Sequence, residues 1–252
     1  MGGLALKWCK CCCQGERQTA QRHNIWNFNI FLDTGNEIID PVDHEKLLGC
    51  QLSDNFKWNE HIQNNKKSLF NILTSRLNAL RKVSSYSSFL TRKMIANGIF
   101  MSHIIYIIQV WGGCSQYLLD TLQILQNKAA REVTKLDRYT PIKTLLNQCN
   151  WLSIKQMIVY YDVLLVFKIR KDKKPIYLYE KLSNNYAYGT RFAENNEIRQ
   201  VQLPQSEISR TAFVNRSITS WNRLPKEVTD NKNDGAFKSC LRSWVKSNIE
   251  PT

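Results

Sequence analysis

The spacing of apolar residues separates a short strand-like region near the N-terminus from a long helical region. Apolar and polar residues alternate between positions 24 and 40, on both sides of a polar turn that contains Gly35, which predicts a β-hairpin. A further strand is predicted over residues 46–52, around Gly49. From Trp58 onward the apolar period becomes that of an α-helix. The predicted fold class is mainly α, a helical bundle with a small β-hairpin or strand element near the N-terminus.

Helical periodicity and helix-stop signals place helices along most of the remaining chain. The first helix carries apolar residues on one face, namely Leu69, Ile72, Leu73, Leu77 and Leu80. The second ends at the Gly112-Gly113 pair, and a later helix takes Ser153 as its N-cap. The ranges predicted after the first helix are 89–110, 116–135, 141–148, 153–170, 212–222 and a segment carrying Phe237, Leu241 and Trp244. Residues 183–208 are polar with weak periodicity, which predicts an exposed loop.

Composition and cysteine usage indicate a folded intracellular protein. The chain has 252 residues, of which 43% are hydrophobic, enough to bury a substantial core. No secretory signal precedes the cysteines, so we expect a reducing compartment, nucleus or cytoplasm, and no secretion. The most apolar segment, residues 99–111, is too short for a membrane span and contains polar residues, so it is predicted to be a buried helix.

Three interpretations of the N-terminal leader remain open. Four cysteines crowd into five positions there, namely Cys9, Cys11, Cys12 and Cys13. Gly2 and these cysteines suit a doubly acylated membrane anchor, although the myristoylation motif requires Ser or Thr at the position of Leu6. A metal site is the second interpretation, but the cluster has no CxxC pair and its nearest histidine is His23. The third interpretation is a leader with no specific chemistry.

The distribution of charge points to a polyanionic partner. The net charge is +14, which favours nucleic acid or an acidic membrane surface. Residues 61–119 contain no acid, where even spacing would put about five. Helical spacing there lets the cations form one face over a packed core, which predicts a nucleic-acid-binding surface or else a solvated basic face without a partner. The predicted binding residues are Lys66, Lys67, Arg76, Arg81, Lys82, Arg92 and Lys93 in this stretch, and Lys128, Arg131 and Lys135 in the next helix.

The sequence offers little support for catalysis. Turn and strand-edge aspartates such as Asp33, Asp40 and Asp43 are commoner than metal ligands. The histidines have no serine or cysteine nucleophile at a recognised motif spacing. We therefore predict no catalytic residue, no metal site and no cofactor.

Four blocks in the order of one known family carry a resemblance. Residues 46–62 read KLLGCQLSDNFKWNEHI, and residues 110–113 read VWGG before LQILQNKAAR at 122–131. Residues 141–152 end in Trp151-Leu152, and the last block combines Arg210-Thr211, SITSWNRLP at 217–225 and Phe237-Lys238. Together they resemble the region that follows the polymerase palm in reverse transcriptases of non-LTR, LINE-like retrotransposons. The resemblance covers about residues 43–246.

The resemblance implies a thumb and post-thumb segment, whose partner would be RNA or an RNA–DNA duplex. It divides the chain into a Cys-rich leader with a β-hairpin over 1–40, a thumb-like helical domain over 41–150 and a C-terminal helical extension over 151–252. The family's catalysis uses palm aspartates, including an adjacent pair, to hold two metal ions. This sequence has no Asp-Asp dipeptide, and only about forty residues precede the matching region, so we expect no polymerase activity.

Two other functional hypotheses stay open at this stage. The first is a membrane-tethered interaction protein that uses the cysteine cluster together with the basic surface. The membrane enters this hypothesis only through an acylated N-terminus. The second is a relic without a selected function.

Overall fold

The computed structural model describes residues 43–183, 197–198, 206–231 and 233–250. The hairpin predicted over 24–40 and the leader cysteines lie outside these residues, as does most of the loop predicted over 183–208. All described residues belong to one unit of the fold, Asp43–Thr252. Within them the mainly helical fold class with a small antiparallel sheet is confirmed.

The described elements begin with a hairpin and continue with helices. The strands are β1 His44–Leu47 and β2 Cys50–Ser53, and π-helical segments occur at Glu60–Asn64 and Asn97–Met101. The helices are α1 Leu69–Ser84, α2 Phe89–Ala96, α3 Ser102–Ile105, α4 Ile108–Trp111, α5 Gln116–Thr134, α6 Ile142–Cys149, α7 Ile154–Asp172, α8 Ile176–Leu182, α9 Glu207–Thr211, α10 Phe213–Trp221, α11 Lys226–Thr229 and α12 Asp234–Asn248. None of the described helices is long and apolar enough to cross a membrane.

The single strand predicted over 46–52 is wrong, because this segment turns back on itself. β1 and β2 pair antiparallel, with Leu47 opposite Cys50. Leu48 and Gly49 form the turn, at φ values of 48° and 81°. Two consecutive left-handed residues are typical of the tight turn that matches strand twist in two-residue hairpins. Glycine at position 49 removes the steric cost of that conformation.

Side-chain caps mark the starts of two helices, and the cap predicted at Ser153 is confirmed. The Ser68 side chain accepts a hydrogen bond from the backbone amide of Asn71 at the start of α1. Ser153 and Gln156 form a reciprocal capping box at the start of α7. The inward face of α1 is formed by Leu69, Leu73, Leu77 and Leu80, whereas Ile72 is only half-buried.

The one continuous helix predicted over 89–110 is wrong. A π-helical segment follows α2, and the helix stops at Tyr106, where ψ is 121°. Ile107 then adopts a left-handed conformation, with φ 46°, before α4 begins. The Trp111 indole nitrogen donates to the freed Tyr106 carbonyl at 3.0 Å. Residues 104–108 around the break read IIYII, an apolar run whose periodicity carries no signal for a change of direction.

A buried amide network joins α5 to the start of α7. Gln123 Oε1 accepts from the Ile154 amide at 2.8 Å, and Gln126 Nε2 donates to the Leu152 carbonyl at 2.8 Å. The two glutamine side chains also bond each other at 2.9 Å. These bonds satisfy polar groups inside the core, and they tie the helices across residue 150, where the sequence suggested a domain boundary.

Stacked aromatic rings fix the C-terminal helices on α7. The Phe237 ring stacks on Phe167 with centroids 3.9 Å apart, and Trp221 lies 6.2 Å from Phe237 at an interplanar angle of 24°. The Arg170 guanidinium lies 4.9 Å from the Trp221 ring centroid. Since such rings bury large apolar areas, they account for the attachment of α10 and α12 to the body.

A charged pair at the centre of this region joins four segments. Arg216 of α10 donates to both carboxylate oxygens of Asp162 on α7, at 2.6 and 3.1 Å. Its remaining donors reach the carbonyls of Thr211 and Gln109 at 2.8 and 2.9 Å. Asp162 is completely buried. A Cβ at Gly113 would lie 2.2 Å from the Thr211 oxygen and 2.8 Å from Arg216 Nη1, so only glycine fits there.

The pair makes stability depend on pH in a defined direction. Burial raises the pKa of Asp162 to about 6, although the bonds and charge of Arg216 oppose the rise. The folded protein therefore binds the proton of the Asp162 carboxyl more tightly than the unfolded chain does. This contribution to the free energy of unfolding is fully present below pH 4 and is lost as pH rises to about 6. We expect the stability advantage of the natural chain over Asp162→Asn to shrink by about 3 kcal/mol across that range, as measured by urea unfolding. An advantage that grew with pH would mean that attraction to Arg216 outweighs burial.

Candidate nucleic-acid interface

The ten cations predicted to form one face lie on several separate surfaces. On an α-helix successive residues are 100° apart, so Arg76 and Arg81 of α1 project about 140° from each other. They flank the buried stripe of α1 on opposite sides, and Lys82 points away from it. The physical reason is that α1 packs with its leucines inward, and this packing leaves two flanks instead of one basic face.

Three of the predicted cations line a cleft at the start of α1. This first cleft has a volume of about 450 Å³ and contains the side chains of Lys66, Lys67 and Arg76, with Lys46 from β1. Lys66 and Lys67 are exposed and lie between a π-helix and α1. Among the described residues, Glu60 is the one acid that lines the cleft. Four cations against one carboxylate leave the cleft strongly positive.

The first turn of α1 adds to this positive charge. Asn71 and Ile72 of that turn line the first cleft, and the turn contains no acidic residue. The N-terminal end of a helix carries a partial positive charge and free amide groups, which favour anions. Asn65 shapes the entry, because its side chain accepts from the Lys67 amide at 3.1 Å and its carbonyl accepts from Asn71 Nδ2 at 3.0 Å.

His61, which lines the first cleft, and His103, which senses the charge of Arg76, both have a lowered pKa. His61 Nδ1 accepts from the Gln51 amide at 3.4 Å, which attaches β2 to the π-helix. Burial lowers the pKa of His61. Burial, followed by the charge of Arg76, lowers the pKa of His103. Neither imidazole therefore contributes positive charge at neutral pH, and the cleft's field comes from lysine and arginine.

Two further predicted cations are engaged by an acid. Glu132 of α5 binds Arg81 at 3.3 Å and Lys135 at 2.9 Å. Burial alone would raise the pKa of Glu132, but the hydrogen bonds and charges of Lys135 and Arg81 outweigh it and lower the pKa. The Lys135 ammonium also donates to Ser84 at 2.8 Å. These contacts join the ends of α1 and α5, so both cations have a structural role.

Arg92 also has a structural role. Its Nε donates to the Val133 carbonyl at 2.8 Å, near the C-terminal end of α5, and its Nη1 donates to the Ser87 carbonyl. A cation there satisfies terminal carbonyls and matches the negative end of the helix dipole. The predicted role of Arg92 in phosphate binding therefore competes with bonds that it already makes.

The last four predicted cations do not join the first cleft. Lys82 and Lys128 are exposed, and Arg131 is half-buried with an Nε that has no hydrogen bond to any described residue. Lys93 lines a different cleft, together with Arg242 of α12. Lys46 and Arg242 are not among the predicted residues, because they lie neither in the acid-free stretch nor in the helix that follows it.

Metal ligands and thiols are the remaining candidates for reactive chemistry among the described residues. No group of three histidine, cysteine or acidic side chains that could hold a metal occurs among them. Burial raises the pKa of the Cys114 thiol to about 12 and that of Cys149 to about 11, despite opposing local effects. Such thiols stay protonated and are poor nucleophiles at neutral pH.

Comparisons with known protein families, with curated proteins and with solved structures gave no match to this chain.

The division between structural and exposed cations can be measured as stability. We expect Arg92→Gln to lower the free energy of unfolding by about 1–3 kcal/mol, because the Val133 and Ser87 carbonyls lose a charged donor. The matched change Lys82→Gln removes the same charge from an exposed side chain and should stay within about 0.5 kcal/mol. Chemical unfolding of the two variants decides the point, and equal stabilities would contradict the role given to Arg92.

Proposed function

We propose that this chain is the thumb and post-thumb part of a non-LTR retrotransposon reverse transcriptase, and that it binds RNA or an RNA–DNA duplex. The proposed site is the first cleft, where Lys46, Lys66, Lys67 and Arg76 contact phosphates of the nucleic-acid backbone. The single observation that carries the proposed nucleic-acid binding is the convergence of four cations and the positive end of α1 on one concave surface.

The chemistry of the first cleft favours binding without sequence preference. Lysine and arginine contacts to phosphates position a nucleic acid but read no base. In the part of the chain that the structure describes, no tryptophan, tyrosine or phenylalanine lines this cleft, so a base finds no such ring to stack on. Affinity should therefore come mainly from release of counterions and fall steeply with salt.

The proposal assigns no polymerase activity to the chain. Phosphoryl transfer in this family would need paired aspartates that hold two metal ions, and the sequence contains no adjacent aspartates. The family origin itself rests on the four sequence blocks described above. We place the protein inside the cell, in the nucleus or the cytoplasm.

A second proposal, a membrane-tethered interaction protein, depends entirely on the leader cysteines. These residues lie outside the described part of the chain, and no specific contact favours this function over nucleic-acid binding. If the chain is a relic without a selected function, the basic cleft is inherited from an ancestral protein and has no present role.

The first cleft can be tested by removing its charge. We expect the triple variant Lys66→Gln, Lys67→Gln, Arg76→Gln to bind a mixed-sequence RNA–DNA hybrid at least about tenfold more weakly at low salt. The slope of log affinity against log salt should also become shallower by about 3, at roughly 0.9 per phosphate contact. Fluorescence anisotropy across a salt series measures both quantities.

A control with the same change in charge separates local from global electrostatics. Lys168, Lys174 and Lys181 are exposed and lie outside the first cleft. Their triple glutamine variant should change the affinity and the salt slope much less. Equal losses in the two variants would mean that net charge alone drives binding, and unchanged affinity for Arg76→Glu would place the interface elsewhere.

Deletion of residues 1–14 separates the two proposed functions. We expect the shortened chain to keep its affinity for the hybrid, because the proposed phosphate contacts begin at Lys46. A membrane anchor would instead be lost with Gly2 and the cysteines. Co-sedimentation of both chains from cells with membranes, beside hybrid binding in vitro, measures the two functions. Loss of hybrid binding on deletion would contradict the assignment to the first cleft.

A further inference from the structure

A second cleft, of about 790 Å³, lies where α2, α3 and α4 face α6, α7 and α12. Its lining differs in kind from that of the first cleft, because it combines aromatic rings with cations. The residues that define it here are Tyr106, Trp151, Tyr160, Tyr161, Lys93 and Arg242. Its lining contains no aspartate or glutamate among the residues that the structure describes. A concave surface with rings and uncompensated positive charge suits a planar ligand that carries an anionic group.

The cations at one rim share a neutral residue. Arg242 donates to the Asn150 carbonyl, and Lys246 Nζ donates to Asn150 Oδ1 at 3.0 Å. Neither cation forms an ion pair with a carboxylate of the described residues. Burial, followed by the charge of Arg242, lowers the pKa of Lys246. A bound anion would relieve the repulsion between the two side chains, since no carboxylate of the described residues pairs with either one.

The aromatic rings are held in place before any ligand binds. The Trp151 indole nitrogen donates to Asn97 Oδ1 at 2.8 Å, and the Tyr106 hydroxyl donates to the Leu48 carbonyl at 2.6 Å. Tyr160 and Tyr161 meet edge to face, with centroids 5.2 Å apart, and both remain partly exposed. Rings that are already ordered lose little conformational entropy when a ligand stacks on them.

The second cleft adjoins the first across the hairpin turn. Gly49 lines the first cleft and Tyr106 lines the second. A Cβ at Gly49 would lie only 3.6 Å from the Tyr106 ring, so the turn and the ring are in contact. A strand whose backbone lies in the first cleft therefore has a short path to the aromatic surface.

We propose that the second cleft binds an unpaired nucleotide. Its base stacks on the partly exposed rings of Tyr160 and Tyr161, and its phosphate is bound by Arg242 and Lys246. Stacking tolerates every base because each has an aromatic face, whereas the cations supply the anion contact. The ligand is either a free nucleotide or the unpaired end of a strand, and both present the same base and phosphate. This site goes beyond the proposed duplex binding and does not depend on it.

The test is calorimetric titration of the full chain with uridine 5′-monophosphate, ribose 5-phosphate and a five-nucleotide oligouridylate. We expect ribose 5-phosphate to bind at least about fivefold more weakly than the mononucleotide, because it cannot stack. Arg242→Gln should weaken mononucleotide binding about tenfold or more, and Tyr160→Leu should weaken it without affecting ribose 5-phosphate. Arg223→Gln is the matched control, because Arg223 is exposed and outside the cleft.

The outcomes separate the two ligand sources and the two clefts. If the mononucleotide binds saturably and Arg242→Gln weakens that binding, the ligand is a free nucleotide. If only the oligonucleotide binds and Arg242→Gln weakens that binding, the ligand is the end of a strand. The proposal is overturned if a folded sample binds neither ligand, or if ribose 5-phosphate binds as tightly as the mononucleotide. The first-cleft triple variant should leave mononucleotide binding unchanged. If that variant abolished oligonucleotide binding while Arg242→Gln did not, single strands would bind in the first cleft, and the proposal would be overturned.

Discussion

The buried pair of Arg216 and Asp162 holds together parts of the chain that are far apart in sequence. Removing a carboxylate and a guanidinium from water is costly, and either one left alone would be strongly destabilising. The Arg216 guanidinium can be buried because Asp162 and the carbonyls of Gln109 and Thr211 all accept its hydrogen bonds. Gly113 allows this close approach because it has no Cβ. The helices α4, α7, α9 and α10 form a single arrangement for this reason.

The residues that carry the family resemblance are mostly residues that build the fold. Gly113 makes room for the charged pair, Gln123 and Gln126 hold the start of α7, and Trp221 stacks in the C-terminal core. These roles need particular side chains at particular spacings. They say nothing directly about binding, because the proposed phosphate contacts lie mainly on residues outside these blocks. The resemblance and the interface are thus two separate arguments.

Positive charge in this protein divides between structural and available groups. Arg81 and Lys135 bind Glu132, and Arg92 binds backbone carbonyls, so these cations have partners before any ligand arrives. Within the described residues, the cations of the first cleft face a concave surface with a single acid, and Arg242 and Lys246 at the rim of the second cleft bond to the neutral Asn150. An anion can gain most where the protein has not already neutralised its own charge. This criterion selects the two clefts from a surface that is basic in many places.

The sequence by itself determined the helical class, the inward leucines of α1 and the cap at Ser153, because these depend on period and on neighbouring residues. It could not determine the turn at Gly49 or the break at Ile107, since an apolar run looks the same whether it continues or folds back. It also located the excess of cations but not their grouping. Contacts between distant segments decide which flank of α1 faces a cleft. They also bring Lys46 and Arg242 into the candidate sites. Only the tertiary structure decides these points, because packing the apolar faces fixes where the polar faces meet.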